Sequence, residues 1–339
     1  MLLPILPLDA PLSEYERQAG PAPSAVAFDS VARRYDFADW SALSEFVAAI
    51  ARRDPEVYPF ERAVDAVVNG DVESLEKLLR EAPGLVHARS TRVTHFDPKV
   101  HRATLLHYVA ANGVEGYRQK TPPSAIAIAK TLLDAGAEVD SRADLYGGEC
   151  TTLSLLVSSC HPANAGLQAP LAELLIDYGA SLTGAGSGNW VSPVETALVF
   201  GYRATAEVLV KRGAPIGTIA AAAGLGRVDE VAKMLPGSSA EARHRALAIA
   251  AETGQVEAVR MLLDAGEDPN RYNPPGTHAH SAPIHQAVWA GHLDVVRLLV
   301  ERGARLDKRD TIHDGTPLGW ARYGGRAEIA EYLERHDAT

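Results

Sequence analysis

The sequence predicts an all-α chain built as a stack of helix-turn-helix units. Three observations carry this prediction. Glycines recur in two columns. One column, between paired helices, reads Gly113, Gly201, Gly226, Gly254, Gly291 and Gly325, with Cys160 in the same place. The other ends the second helix of each pair and reads Gly136, Gly179, Gly213, Gly266 and Gly303. Each glycine of the second column follows two apolar residues at one spacing, as in Leu262-Leu263 and Leu299-Val300. The length of 339 residues is large for one core but ordinary for a structure that grows by stacking.

The elements follow in order. Residues 1–24 are Pro-rich and read as an extended arm. The opening MLLPILPLDAP is apolar, but it lacks a basic flank and is broken by prolines, so a signal peptide is not expected. Ala25–Tyr35 and Trp40–Arg53 read as helices, with Ser41 as N-cap of the second and Pro55 as its stop. These helices suit a terminal cap, because a stack needs an end unit with a polar outer face. Phe60–Arg89 reads as a first helix pair with Asn69-Gly70-Asp71 at its turn. Further pairs follow to a last unit at Thr316–His336, about eight in all, in the range where stacked units become stable. The organisation expected is an arm and helical cap over residues 1–58 and a repeat array over 59–339.

The unit Ala282–Asp307 carries the pattern most clearly. Pro283 starts a first helix that runs to Ala290, and Gly291 breaks it. A second helix then presents Val295, Val296, Leu298 and Leu299, and Gly303 ends it. Its opening, Ala282-Pro283-Ile284-His285-Gln286-Ala287, resembles the T-P-L-H-x-A box of the ankyrin repeat. The resemblance covers Phe60 to the C-terminus and is weaker in the middle. The segment Ala32–Val47 is similar to a leader found before ankyrin arrays of bacterial type. The resemblance implies an ankyrin-repeat solenoid with β-hairpin or loop fingers. It also implies that the box histidines, His107 and His285, hydrogen-bond locally and tie neighbouring units together.

Four connections between units are long: residues 90–103, 141–150, 271–281 and 308–315. Long connections in compact folds tend to carry function. Of twelve histidines, His95, His101, His278, His280 and His313 lie in them. If Thr277–Ser281 is extended, His278 and His280 share a side. Two imidazoles fall short of the three or four ligands zinc takes, so no metal and no cofactor is expected. Cys150 and Cys160 give no disulfide framework, and Cys160 is expected to be packed. No nucleotide-binding glycine motif or nucleophile elbow is present, and no catalytic residue is assigned. The Gly-rich run Ala185–Asn189 reads as a loop, and Trp190 after it is counted among the candidate binding aromatics.

In a resembling repeat, the residues one and four places after the box histidine face the concave surface. Those positions are Gln286 and Trp289 after His285, and Trp320 and Tyr323 after Gly319. In the middle units they are Thr196 and Val199, Ala221 and Gly224, and Ile249 and Glu252, and Tyr108 follows His107. Trp289, Trp320 and Tyr323 form an aromatic patch, with His278, His280 and His313 above it. The alternative for Trp320 and Tyr323 is packing under the C-terminal end. The Ala-rich middle units bury little area and are expected to be the weakest interface.

The resemblance implies a non-enzymatic binding scaffold that contacts a protein partner through the concave groove and the fingers. The alternative is a small-molecule site or enzyme using histidines and carboxylates of the long connections. The net charge of −10 argues against nucleic acid, because duplex affinity comes mainly from neutralised phosphates. No apolar run approaches a membrane span, and a cytoplasmic location fits the cysteine usage.

Overall fold

Apolar residues at helical spacing need a partner surface, and the chain supplies it by laying helices in two layers. A computed structural model describes residues 5–183 and 192–337. The chain divides into two units, Met1–Gly188 and Asn189–Thr339, and each is described by itself.

The first unit opens with α1 (Leu12–Gln18), α2 (Ala25–Arg34) and α3 (Trp40–Ala51). Helix α1 falls in the stretch expected to be extended. It starts directly after Pro11 and is held by Tyr15, whose ring meets Tyr35 edge-on at 5.0 Å. The N-cap of α3 is Asp39, not Ser41; its carboxylate accepts the Ala42 N–H at 2.9 Å, and Ser41 already lies inside the helix. The pairs α4 (Tyr58–Asn69) with α5 (Val72–Glu81), and α6 (Leu105–Val109) with α7 (Ala125–Asp134), follow. Then comes a hairpin, β1 (Ala143–Leu145) and β2 (Gly148–Cys150), with Ala143 opposite Cys150. Next are α8 (Thr152–Leu156), α9 (Cys160–Asn164) and α10 (Gln168–Asp177). First helices stack on first helices, α4 on α6 on α8, and second on second, α5 on α7 on α10. Helix α9 fills an expanded turn between paired helices. Cys160 is its first residue and is exposed, which corrects the expectation that it is packed.

The second unit repeats the plan with pairs α11 (Pro193–Val199) and α12 (Arg203–Lys211), α13 (Ile219–Gly224) and α14 (Val228–Met234), α15 (Ala240–Glu252) and α16 (Val256–Asp264). It ends with α17 (Pro283–Ala290) and α18 (Leu293–Glu301), then α19 (Pro317–Tyr323) and α20 (Ala327–Asp337). Gly291 and Gly303 have φ of 88° and 86°, a left-handed conformation that a side chain resists.

Two expectations change here. Among the described residues the only paired strands longer than a single bridge are β1 and β2. Thr277–Ser281 is not extended but turns: Thr277 N–H bonds to Pro274 O and Ser281 N–H to His278 O. Pro274 and Pro275 have no N–H to give a ladder, which accounts for the change. All six residues of the Ala-rich α13 are buried. Its small side chains let it approach α15 so closely that a Cβ on Gly224 would lie 2.6 Å from Ile249 Cγ2. Among the described residues no helix is long and apolar enough to cross a membrane.

Candidate functional site

The second unit contains a cavity of about 690 Å³. Phe200 and Tyr202 from the turn after α11, Glu252 from the end of α15, and Trp289 from α17 line it, as do Trp320 and Tyr323 of α19. His278, His280 and His313 reach it from the two long connections.

The aromatic side is built by helix register. Trp289 and Trp320 occupy equivalent faces of α17 and α19, and their rings meet at 6.0 Å and 80°. Tyr323, one turn after Trp320, lies nearly parallel to Trp289 at 6.3 Å. Trp289 is 44% exposed and Tyr323 is 87% exposed, while Trp320 is half-buried. Asp310 holds Trp320, taking the indole Nε1–H at 2.9 Å on Oδ2 and the Gly315 N–H at 2.8 Å on the same oxygen. Its other oxygen accepts the N–H groups of Ile312 and His313 at 2.9 and 2.7 Å. Burial opposes ionisation of Asp310, but these donors prevail and hold its carboxyl well below the usual carboxylate range.

The histidines have separate tasks. His285 Nδ1 accepts the Ala282 N–H at 3.3 Å, so Nε2 carries the proton toward Lys308 O and Gly315 O, at 3.2 and 3.3 Å. It thereby clamps both ends of the connection that bears Asp310. His278 Nε2–H donates to Val199 O at 2.9 Å, and burial lowers its pKa, so its ring is held neutral. The His278 and His280 rings lie 6.1 Å apart, and His280 tilts against Trp320 at 5.9 Å. Among the described residues no group of three or more His, Cys, Asp or Glu side chains is placed to hold a metal ion.

Glu252 shares a register with Trp289, but nothing in the sequence marks its environment. It is 8% exposed, and its Oε2 finds no donor among the described residues. Burial pushes its carboxyl up to about 8. Phe200 and Tyr202 were not anticipated at all. They sit in an inter-helix turn, where no box position points to them.

The remaining candidates belong to the first unit. Tyr108 is wholly buried at 0% exposure, with Phe60 and His101 as ring neighbours. It is a core residue, which corrects its assignment to a contact surface. His101 is also buried and cannot offer a finger contact; its Nδ1 accepts the Ala103 N–H and its Nε2–H points to Glu115 Oε1 at 3.3 Å. Glu115 lies between His101, Arg92 and Arg118, and Arg118 also bonds Glu61 at 2.6 Å. Burial works against the Glu115 charge, yet Arg92, His101 and Arg118 hold its carboxyl well below its ordinary range. The Arg92 guanidinium in turn lies over Phe37 at 4.1 Å and Phe46 at 4.5 Å. His95 is exposed and lies 3.7 Å from Asp36. His107 closes a capping box, accepting the Thr104 N–H on Nδ1 and donating from Nε2 to Cys150 O at 3.2 Å in the next repeat. Trp190 lies outside the described residues.

Comparison with known proteins supplies the class. A family model described as ankyrin repeats, in three copies, matches residues 218–310. Bovine cyclin-dependent kinase 4 inhibitor B is 36% identical over 129 residues, which is 30% of this chain and 95% of that protein. The mouse ankyrin repeat and SAM domain-containing protein 6 is 35% identical over 106 residues, 31% of this chain. The match spans only 12% of the length of that mouse relative. The ankyrin repeat domain of human ASB11 aligns with a TM-score of 0.40 at 19% identity, covering 80% of this chain and 95% of that one. The stacked two-layer helix pairs and the matches in sequence define a helical repeat protein. The chain belongs to the ankyrin repeat family.

Proposed function

We propose that this chain is a binding scaffold that engages a protein partner through the aromatic face of its second unit. The single observation that carries the reading is the exposure of Trp289 and Tyr323 beside half-buried Trp320 on consecutive first helices. Large exposed aromatics next to a polar rim are the usual make-up of interface hot spots. Here His280, His313 and Gln286 supply the polar groups. The family supports the reading in general terms, since repeat stacks present extended concave binding surfaces. The name of the bovine relative describes inhibition of a kinase, and that remains a statement about the relative. Within the same proposal, residues 1–58 serve as arm and cap of the array 59–339. The leader Ala32–Val47 groups the chain with arrays of bacterial type, and its place of action is the cytoplasm.

The test is affinity capture from the native source, identification of the partner, and titration of that partner against the wild type and Trp289→Ala/Tyr323→Ala. At least a tenfold loss of affinity is expected, with the unfolding midpoint nearly unchanged. Unchanged affinity in the double variant would sink the reading.

A further inference from the structure

We propose that the cavity lined by Trp289, Trp320 and Glu252 binds an alkylammonium group, with the aromatic faces and the buried carboxyl as its receptors. The inference stands apart from the protein-binding reading and can hold where that one fails.

Three features of the wall point to a cation. The first is the aromatic corner. Trp289 and Trp320 stand nearly perpendicular, so a bound group meets one ring face and one ring edge or two faces, and Tyr323 and Tyr202 widen that lining. Ring faces carry negative potential and attract ammonium groups, most strongly where water is excluded. The second is Glu252, an acid with a carboxyl oxygen that has no donor among the described residues. A buried acid without a partner is costly, and a cation arriving beside it removes the cost. Burial keeps the Glu252 proton in place until then, and the proton leaves to solvent when the cation binds. The third is the absence of Lys and Arg among the described residues that line the cavity. Arg326 is committed to the carbonyl of Trp289 at 2.9 and 2.6 Å, and Arg322 to Glu334 at 2.8 Å. The imidazole of His278, held neutral, presents no opposing charge.

The alkyl part of the ligand has its own receptor in the apolar walls, where Phe200 packs against His278 at 5.9 Å. An inorganic cation gains little from such walls. An anion would meet no Lys or Arg among the described lining residues. A substituted ammonium, with an apolar body and a diffuse charge, matches both parts.

The experiment uses the full chain and follows tryptophan fluorescence and calorimetric heat. Choline chloride is titrated against its neutral isostere, 3,3-dimethylbutan-1-ol, at constant ionic strength. Choline is expected to saturate, with the alcohol about tenfold weaker or more. In Glu252→Gln the preference for the cation should fall below about threefold, while the far-ultraviolet spectrum stays native. A short peptide carrying one lysine forms a second arm. Tighter binding of the peptide assigns the cation to a protein side chain, and tighter binding of choline assigns it to a free small molecule; both support the proposal. Equal affinity for choline and the alcohol overturns it. So does the lack of saturation by either cation, or a Glu252→Gln variant with the cation preference intact.

Discussion

The indole Nε1–H of Trp320 donates to Asp310 Oδ2 at 2.9 Å, and three backbone N–H groups converge on the same carboxylate. One side chain thus fixes both the connection before α19 and the orientation of a cavity-lining tryptophan. Asp310→Ala should destabilise the protein by roughly 3 kcal/mol, because buried donors to a charged acceptor are left unpaired. The sign with pH follows from the lowered carboxyl. The folded form holds its charge below the pH at which the unfolded chain protonates, so the Asp310 contribution is complete above about pH 4 and fades as pH falls further. Urea titrations at pH 7 and pH 3 should show the gap between wild type and variant narrowing at the lower pH. A gap of the same size at both would mean the carboxylate is not the group responsible.

Trp289 and Trp320 should separate under mutation. Trp320 is half-buried and hydrogen-bonded, so Trp320→Ala is expected to cost about 2–4 kcal/mol of stability. Trp289→Ala, at an exposed position, should cost under about 1 kcal/mol. Thermal and denaturant unfolding of both single variants checks this. Equal losses would place Trp289 in the core as well.

His107 predicts an acid sensitivity of the first unit. Burial, first among the causes, lowers its pKa from the ordinary imidazole value to about 4. The unfolded chain therefore takes up a proton before the folded one does. Stability from this group is complete above about pH 6.5 and declines as pH falls toward 4, by on the order of 3 kcal/mol. Replacement by Gln should flatten that part of the profile. An unaltered slope between pH 6.5 and 4 would show that other groups set it.

Glu252 acts in the opposite sense. Its folded carboxyl is raised to about 8, so between the ordinary glutamate range and pH 8 the folded form keeps a proton that the unfolded form has lost. Stability falls as pH rises through that window, and Glu252→Gln should be the more stable protein at pH 7. The groups sharing its cavity are His278, His280, His313, Tyr202 and Tyr323, and His292 Nε2–H bonds the Glu252 carbonyl at 3.1 Å. The comparison is therefore made at pH 7 and pH 8, with Glu252→Gln as the variable. A less stable variant at both values contradicts the raised carboxyl.

Gly224→Ala tests the close approach of α13 to its neighbours. Ala favours a helix over Gly by about 1 kcal/mol, but the added Cβ would lie 2.6 Å from Ile249 and 3.0 Å from Leu198. Steric crowding should win and give a net loss of about 1–2 kcal/mol, read from the unfolding midpoint. A stabilised variant would show that α13 has room to move.

The parts of the fold that repeat were legible in the sequence, because each glycine, apolar pair and box histidine reinforces the others. The same register placed Trp289, Trp320 and Tyr323 on one face. It also put Glu252 there, but not its burial, which depends on neighbours in other repeats and on the connection 271–281. Nothing in the sequence marks Glu61, Arg92, Glu115 and Arg118 as partners, since their convergence is a property of the folded unit. Tyr108 was misplaced for a related reason. In an early repeat flanked by an expanded turn, the position after the box histidine is covered by His101, Phe60 and the Glu115 cluster. Helix α1 was hidden by prolines that stop a helix inside but can precede one.

The backbone around Phe37 has one more effect. Phe37 bridges Thr94, and the Ala38 N–H bonds to Val93 O at 3.1 Å, so the N-terminal segment occupies an edge of the first long connection. An open backbone edge is a template on which a second chain can add itself. With Val93 and Thr94 already paired to the N-terminal segment, that stretch of the connection offers another chain fewer backbone groups to pair with.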